Sequence, residues 1–151
     1  MTKKLTLRHY LILFMIFLTF VISGISYLVI QKGIRRIFIF PSVEKGKYVL
    51  EYRYLPEEPG KTDVEYFIDE LLLGSGVERT KLIFTRGTAI KSCFVKKNVL
   101  FLDLSPELLE MGSSVIDIKD GVELLKKNIR HNFKNIDRID LFIDGKYAYE
   151  L

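Results

Sequence analysis

The sequence predicts an α+β domain, a mixed or antiparallel sheet with two main helices packed on one face, preceded by one N-terminal transmembrane helix. Three observations predict it. Tyr10 to Ile30 carries no charge over 21 residues, about 31 Å as a helix, enough to cross a bilayer core of about 30 Å. Downstream, short runs rich in β-branched and aromatic residues alternate with turn residues, the pattern of paired strands. Two longer stretches instead repeat their apolar residues at helical spacing.

The apolar run divides the chain into a cytoplasmic tail at 1–9, a signal-anchor helix at 10–30, a short linker at 31–35 and a domain at 36–151. A cleavable secretory signal is the alternative reading, with Gly24 and Ser26 as small residues near a cleavage point. The apolar residues Tyr27, Leu28, Val29 and Ile30 continue beyond it, which favours an anchor left in place. No Cys follows the run closely enough for lipoprotein attachment. Lys3, Lys4 and Arg8 precede the span; Lys32, Arg35 and Arg36 follow it. These counts tie, so the positive-inside rule does not orient it. The short basic N-terminus fits a cytoplasmic start with the domain on the other side.

The net charge of +4 is misleading, because the first 36 residues hold six Lys/Arg and no acid. From Ile37 onwards there are 17 basic and 19 acidic residues, a net charge of −2. The positive excess flanks the membrane, where anionic headgroups attract it. No basic stripe remains for phosphates, which argues against nucleic acid. One cysteine, Cys93, excludes an internal disulfide and reads as a small core residue.

Within the domain, Arg36–Phe40 is a strand stopped by Pro41, and Lys45-Gly46-Lys47 is a turn. In Lys47–Leu55, Tyr48, Leu50, Tyr52 and Tyr54 share one face, and Val49, Glu51 and Arg53 the other. Thr62 and Glu65 form a capping box. Val64, Phe67, Ile68, Leu71 and Leu72 then make one apolar helical stripe, ended by Gly74. Ala89–Val95 and Val99–Leu104 form a hairpin around Lys96-Lys97-Asn98. Ser105-Pro106 is an N-cap with Pro at the first helical position of a short turn reaching Met111. A second long helix starts at Asp117 or Asp120 and runs to Phe133, with Val122, Leu125, Ile129 and Phe133 as its stripe. Asp120 and Glu123 are its expected caps. Arg138–Ile143 is a strand, and Asp144-Gly145 turns into Lys146–Tyr149. The order is β-β-α-β-β-α-β-β.

The catalytic inventory is poor. His131 is the sole histidine after the tail, so no multi-histidine zinc site is expected. A serine triad would need it together with Ser92, Ser105, Ser113 or Ser114. Asp103 and Asp144 are the candidate carboxylate pair, but Asp at strand ends and turns is ordinary turn chemistry. Gly74-Ser75-Gly76 lacks the Lys and following helix of a phosphate loop. Tyr48, Tyr52, Tyr54, Tyr147 and Tyr149 are candidates for stacking on sugars or a partner, although tyrosines on a strand more often line a core rim. No catalytic, cofactor-binding or metal residue is assigned, and no small-molecule cofactor is expected.

Three stretches, Glu70–Gly74, Arg86–Ser105 and Ile139–Lys146, together resemble the GerMN domain family, which is named for sporulation and spore germination proteins. Glu70-Leu71-Leu72-Leu73-Gly74 is similar to its "LL-x-G" helix end. Arg86-Gly87-Thr88, Ile90-Lys91-Ser92 and Val99-Leu100-Phe101-Leu102-Asp103-Leu104-Ser105 resemble its "G-T … V-x-V-D-L-S" hairpin. Ile139-Asp140-Leu141-Phe142-Ile143-Asp144-Gly145-Lys146 resembles its closing "V-x-F-x-V-D-G". The likeness spans Arg36 to Lys146. Ser75 stands where the family usually has Pro, and Lys134-Asn135 where it often does. The resemblance implies a non-enzymatic, extracytoplasmic module on the bacterial cytoplasmic membrane, working in cell-envelope assembly with envelope proteins or its own copies. Peptidoglycan binding through the tyrosines is the alternative partner, and an envelope hydrolase using Asp103 or Ser105 a remote one.

Overall fold

The computed structural model describes residues 7–30 and 33–148. Residues 1–6, the linker positions 31–32 and the stretch 149–151 with Tyr149 lie outside the described residues. Helix α1 spans Leu7–Ile30. Its stretch His9–Tyr27 is long and apolar enough to cross a membrane, and none of it is buried against protein. By length and composition it suits a membrane anchor or a signal sequence.

Strands β1 (Ile34–Pro41) and β2 (Tyr48–Leu55) pair antiparallel, with Ile34 opposite Leu55 and Pro41 opposite Tyr48. Strand β1 begins two residues before the sequence marks it, so Ile34 and Arg35 belong to the strand and not to a linker. Helix α2 (Asp63–Leu73) carries both halves of the capping box between Thr62 and Glu65. Strands β3 (Ile90–Lys96) and β4 (Val99–Leu104) form the expected hairpin. Its two-residue turn puts both Lys97 and Asn98 at positive φ, 49° and 61°, the twist that suits a tight hairpin.

Pro106–Leu109 is a 3-10 turn, shorter than expected. Helix α3 (Ile118–Asn132) is capped by Asp117, whose side chain accepts from the Lys119 N–H. Asp120 and Glu123 do not cap it, because the helix starts one turn before the position they would serve. Strand β5 (Arg138–Ile143) pairs parallel to β4, and β6 (Lys146–Tyr147) closes antiparallel to β5.

The single sheet expected from the sequence is in fact two: β1-β2, and β3-β4-β5-β6. Helix α2 joins them. Phe67 stacks on Phe38 of the hairpin with ring centroids 4.6 Å apart, and the same helix packs on β3. Leu100, Leu102 and Leu104 of β4 and Ile139, Leu141 and Ile143 of β5 share one core with Val64, Phe67, Ile68 and Leu71 of α2 and Val122, Leu125 and Ile129 of α3. Gly121 of α3 lies where an added Cβ would come within 2.8 Å of the Ile83 carbonyl oxygen and the Phe84 ring. A side chain there would hold the helix off the core.

Candidate functional site

Two asparagines fix the edge of the hairpin. Asn128 is fully buried on α3; its Oδ1 accepts from the Ile39 N–H at 2.8 Å and its Nδ2 donates to the Ile39 carbonyl at 2.9 Å. One turn later Asn132 does the same for Ile37, at 2.9 and 2.7 Å. The spacing of four residues along the helix matches alternate residues along the strand. The backbone groups of Ile37 and Ile39 therefore face α3, and those of their neighbours face β2.

Two arginines tie the hairpin to helix ends. Arg53 points inward from β2, donating to the carbonyl oxygens of Glu70 (3.1 Å) and Gly74 (2.7 Å) at the C-terminus of α2. It also pairs with Glu51 at 2.8 Å and Glu70 at 3.2 Å, and its guanidinium lies 4.7 Å from the Phe38 ring centroid. Arg36 donates to the Asn132 carbonyl at the end of α3 and lies over Phe133. Cations at helix C-termini complement the helix dipole. Arg36 is thus part of the fold, not a membrane-flanking charge. The hydrogen bond from Arg53, with help from Ser75, holds the Glu51 carboxyl below its ordinary range.

With Glu51 and Arg53 inward, the tyrosine face of β2 turns outward. Tyr48, Leu50, Tyr52 and Tyr54 are each more than half exposed. Arg35 stacks over Tyr52 at 4.3 Å and Lys127 over Tyr48 at 4.7 Å. These tyrosines do not line a core rim. They form a strip of aromatic surface with cations laid on it.

A second exposed face belongs to the larger sheet, on the side away from the core. Register places Phe94 beside Phe101, with rings stacked 5.0 Å apart. Phe142 meets Tyr147 edge-on at 5.2 Å. Phe94 is about half exposed. Nothing in the sequence marks Phe94, Phe101 and Phe142 as surface residues, because apolar residues in a strand read as core.

The candidate chemistry does not assemble. His131 is exposed on α3, which covers the inner side of the larger sheet, while Ser92 lies in the register row of Asp103 on its outer side. Ser113 and Ser114 are exposed in a loop. Among the described residues, none of these serines bonds to His131. Ser105 is the N-cap residue of the short turn with Pro106 following, as expected, but its side chain makes no capping bond: its Oγ accepts from the Ala89 N–H at 3.0 Å and its hydroxyl holds the Glu107 carboxyl below its usual range.

Asp103 and Asp144 do meet at one turn. The Asp103 carboxylate accepts from the Gly145 N–H at 3.1 Å, and Asp144 pairs with Lys91. The hydrogen bond and charge of Lys91 lower the Asp144 pKa, the wrong direction for a general acid. Burial, with Glu65 and Asp69 adding to it, pushes the half-buried Cys93 thiol up to about 12; a thiol so high is no nucleophile near neutrality. No cluster of three or more potential metal ligands occurs among the described residues.

No family model matches the chain, and no curated protein matches it. Solved structures do. The first GerMN domain of the sporulation protein GerM from Bacillus subtilis superimposes with a TM-score of 0.61 at 17% identity, covering 76% of this chain and 86% of that one. The tandem GerMN domains of the same protein match at a TM-score of 0.57 and 19% identity, over 78% of this chain and 41% of the tandem. At such identities the likeness speaks for backbone architecture. The domain that follows the apolar helix has a GerMN-like fold.

Proposed function

We propose that this chain is a membrane-anchored, extracytoplasmic, non-catalytic module that acts in cell-envelope assembly by binding other proteins, copies of itself among them. The observation that carries the reading is the outer face of the larger sheet. Helices pack with its inner side in one core, while Phe94, Phe101, Phe142 and Tyr147 share the other side, where Phe94 is 51% and Tyr147 42% exposed among the described residues. Aromatic groups exposed on a rigid sheet are the side chains that protein interfaces concentrate. The fold adds support, being shared with a sporulation protein, and helix α1 supplies the means of anchoring.

In-cell crosslinking of the tagged full-length chain, followed by capture and mass spectrometry, tests the reading. Homo-oligomers or envelope proteins among the products, lost when Phe94→Lys puts a charge on the face, are the expected result. Monomer alone would overturn it. Peptidoglycan binding is a second reading, favoured by the outward tyrosines of β2. Co-sedimentation with purified cell wall that weakens in Tyr52→Ala would support it.

A further inference from the structure

The strip on the hairpin is unlike the face on the larger sheet in where it starts. Tyr54 lies opposite Arg35 at the first residues of β1. The apolar helix ends at Ile30 and β1 begins at Ile34, a step of four residues that spans at most about 14 Å. From Tyr54 the strip runs through Tyr52 and Leu50 to Tyr48, six residues or about 20 Å along the strand. Exposure stays between 51% and 65% throughout. Arg35 sits over the near part and Lys127 over the far end. Beyond Tyr48 a groove continues along α3 past Arg130, His131 and Lys134, with Asp120 and Glu123 on its rim.

We propose that this strip lies flat on the bilayer that holds the chain's own anchor, the tyrosines in the headgroup zone and Arg35 and Lys127 beside lipid phosphates. Tyrosine with basic residues is the composition of the membrane interface. Soluble surfaces rarely leave a contiguous apolar patch of this kind without a partner. The short tether decides between occupants: it holds the Tyr54 end of the strip within about 14 Å of the anchor helix, a high local concentration of headgroups, whereas a glycan or a second chain must first arrive. The inference rests on the anchored reading of helix α1.

The chain contains no tryptophan, so one introduced indole reports from one place. Tyr52→Trp, Tyr48→Trp and, on the opposite sheet, Phe94→Trp are made in the full-length chain. Each is reconstituted into vesicles of phosphatidylglycerol and phosphatidylethanolamine with shallow-brominated acyl chains. Two positions on the strip guard against one variant misfolding. The expected result is loss of most emission at positions 52 and 48, with position 94 unaffected. Equal quenching at all three, or none at 52 and 48, overturns the proposal. So does a blue-shifted but unquenched indole, which would put protein on the strip instead. Flotation of the chain with the vesicles separates the two readings: a chain that does not float refutes the anchor and the strip together, one that floats unquenched refutes the strip alone.

Discussion

Strands β2 and β4 both alternate in exposure, but they put their apolar residues on opposite sides of it. In β4, Leu100, Leu102 and Leu104 enter the core, and Val99, Phe101 and Asp103 stay outside. In β2 the apolar and aromatic set faces out, and the set with Glu51 and Arg53 faces in. The difference lies in what waits on the inner side. Beneath β4 are aliphatic side chains of two helices. Beneath β2 is the C-terminus of α2, whose carbonyl oxygens need donors, and two phenylalanine rings on which a guanidinium can lie. Alternation gives the period of a strand; the neighbouring polar groups give its sign.

The largest test sets one leucine against another. Leu102→Ala empties a fully buried site and is expected to cost about 2–5 kcal/mol. Leu50→Ala, at the middle of the other strand but exposed, should stay within about 0.5 kcal/mol. Urea unfolding of the full-length chain in mild detergent reads both, and equal losses would break the comparison.

Next comes the hairpin edge. Asn128→Leu keeps the branched shape but leaves the Ile39 N–H and C=O buried without partners, a loss of about 3 kcal/mol at 1–3 kcal/mol for each group. A near-neutral result would mean that water reaches the edge.

The smallest effect concerns pH. The folded state holds the Glu51 pKa below its ordinary 4.5, so the unfolded chain takes up that proton first as pH falls. The stability that Glu51 contributes is complete well above pH 4.5 and declines as pH drops through the folded value. Glu51→Gln should flatten that acidic limb, measured as melting temperature against pH. A limb as steep as in the parent would place its origin in other carboxylates.

Much of the fold is legible in the sequence because local signals act alone there. The Thr62–Glu65 box, the tight turn at Lys97-Asn98 and the stripe of α3 need no knowledge of neighbours. The sheet's division, the inward turn of Arg53 and the role of Arg36 need that knowledge, since each depends on a helix end brought up from elsewhere in the chain. Asn128 and Asn132 are the clearest case. In sequence they are two polar residues beside the apolar stripe of a helix, and only the approach of β1 gives their amides a purpose. The tyrosines of β2 are visible as candidates from their spacing, but their exposure follows from Arg53. Phe94 and Phe101 hide because nothing local separates an uncovered strand face from a covered one.

The two amides on α3 also set a valence. By standing in for a neighbouring strand, they occupy the β1 side of the hairpin, so that within this two-stranded sheet, among the described residues, β2 is the side without a strand neighbour. A two-stranded ribbon with one saturated side can join a like ribbon once; the product then has both sides saturated. Replacing the amides would leave the Ile37 and Ile39 backbone groups under α3 without partners, an edge blocked by bulk and no longer by hydrogen bonding.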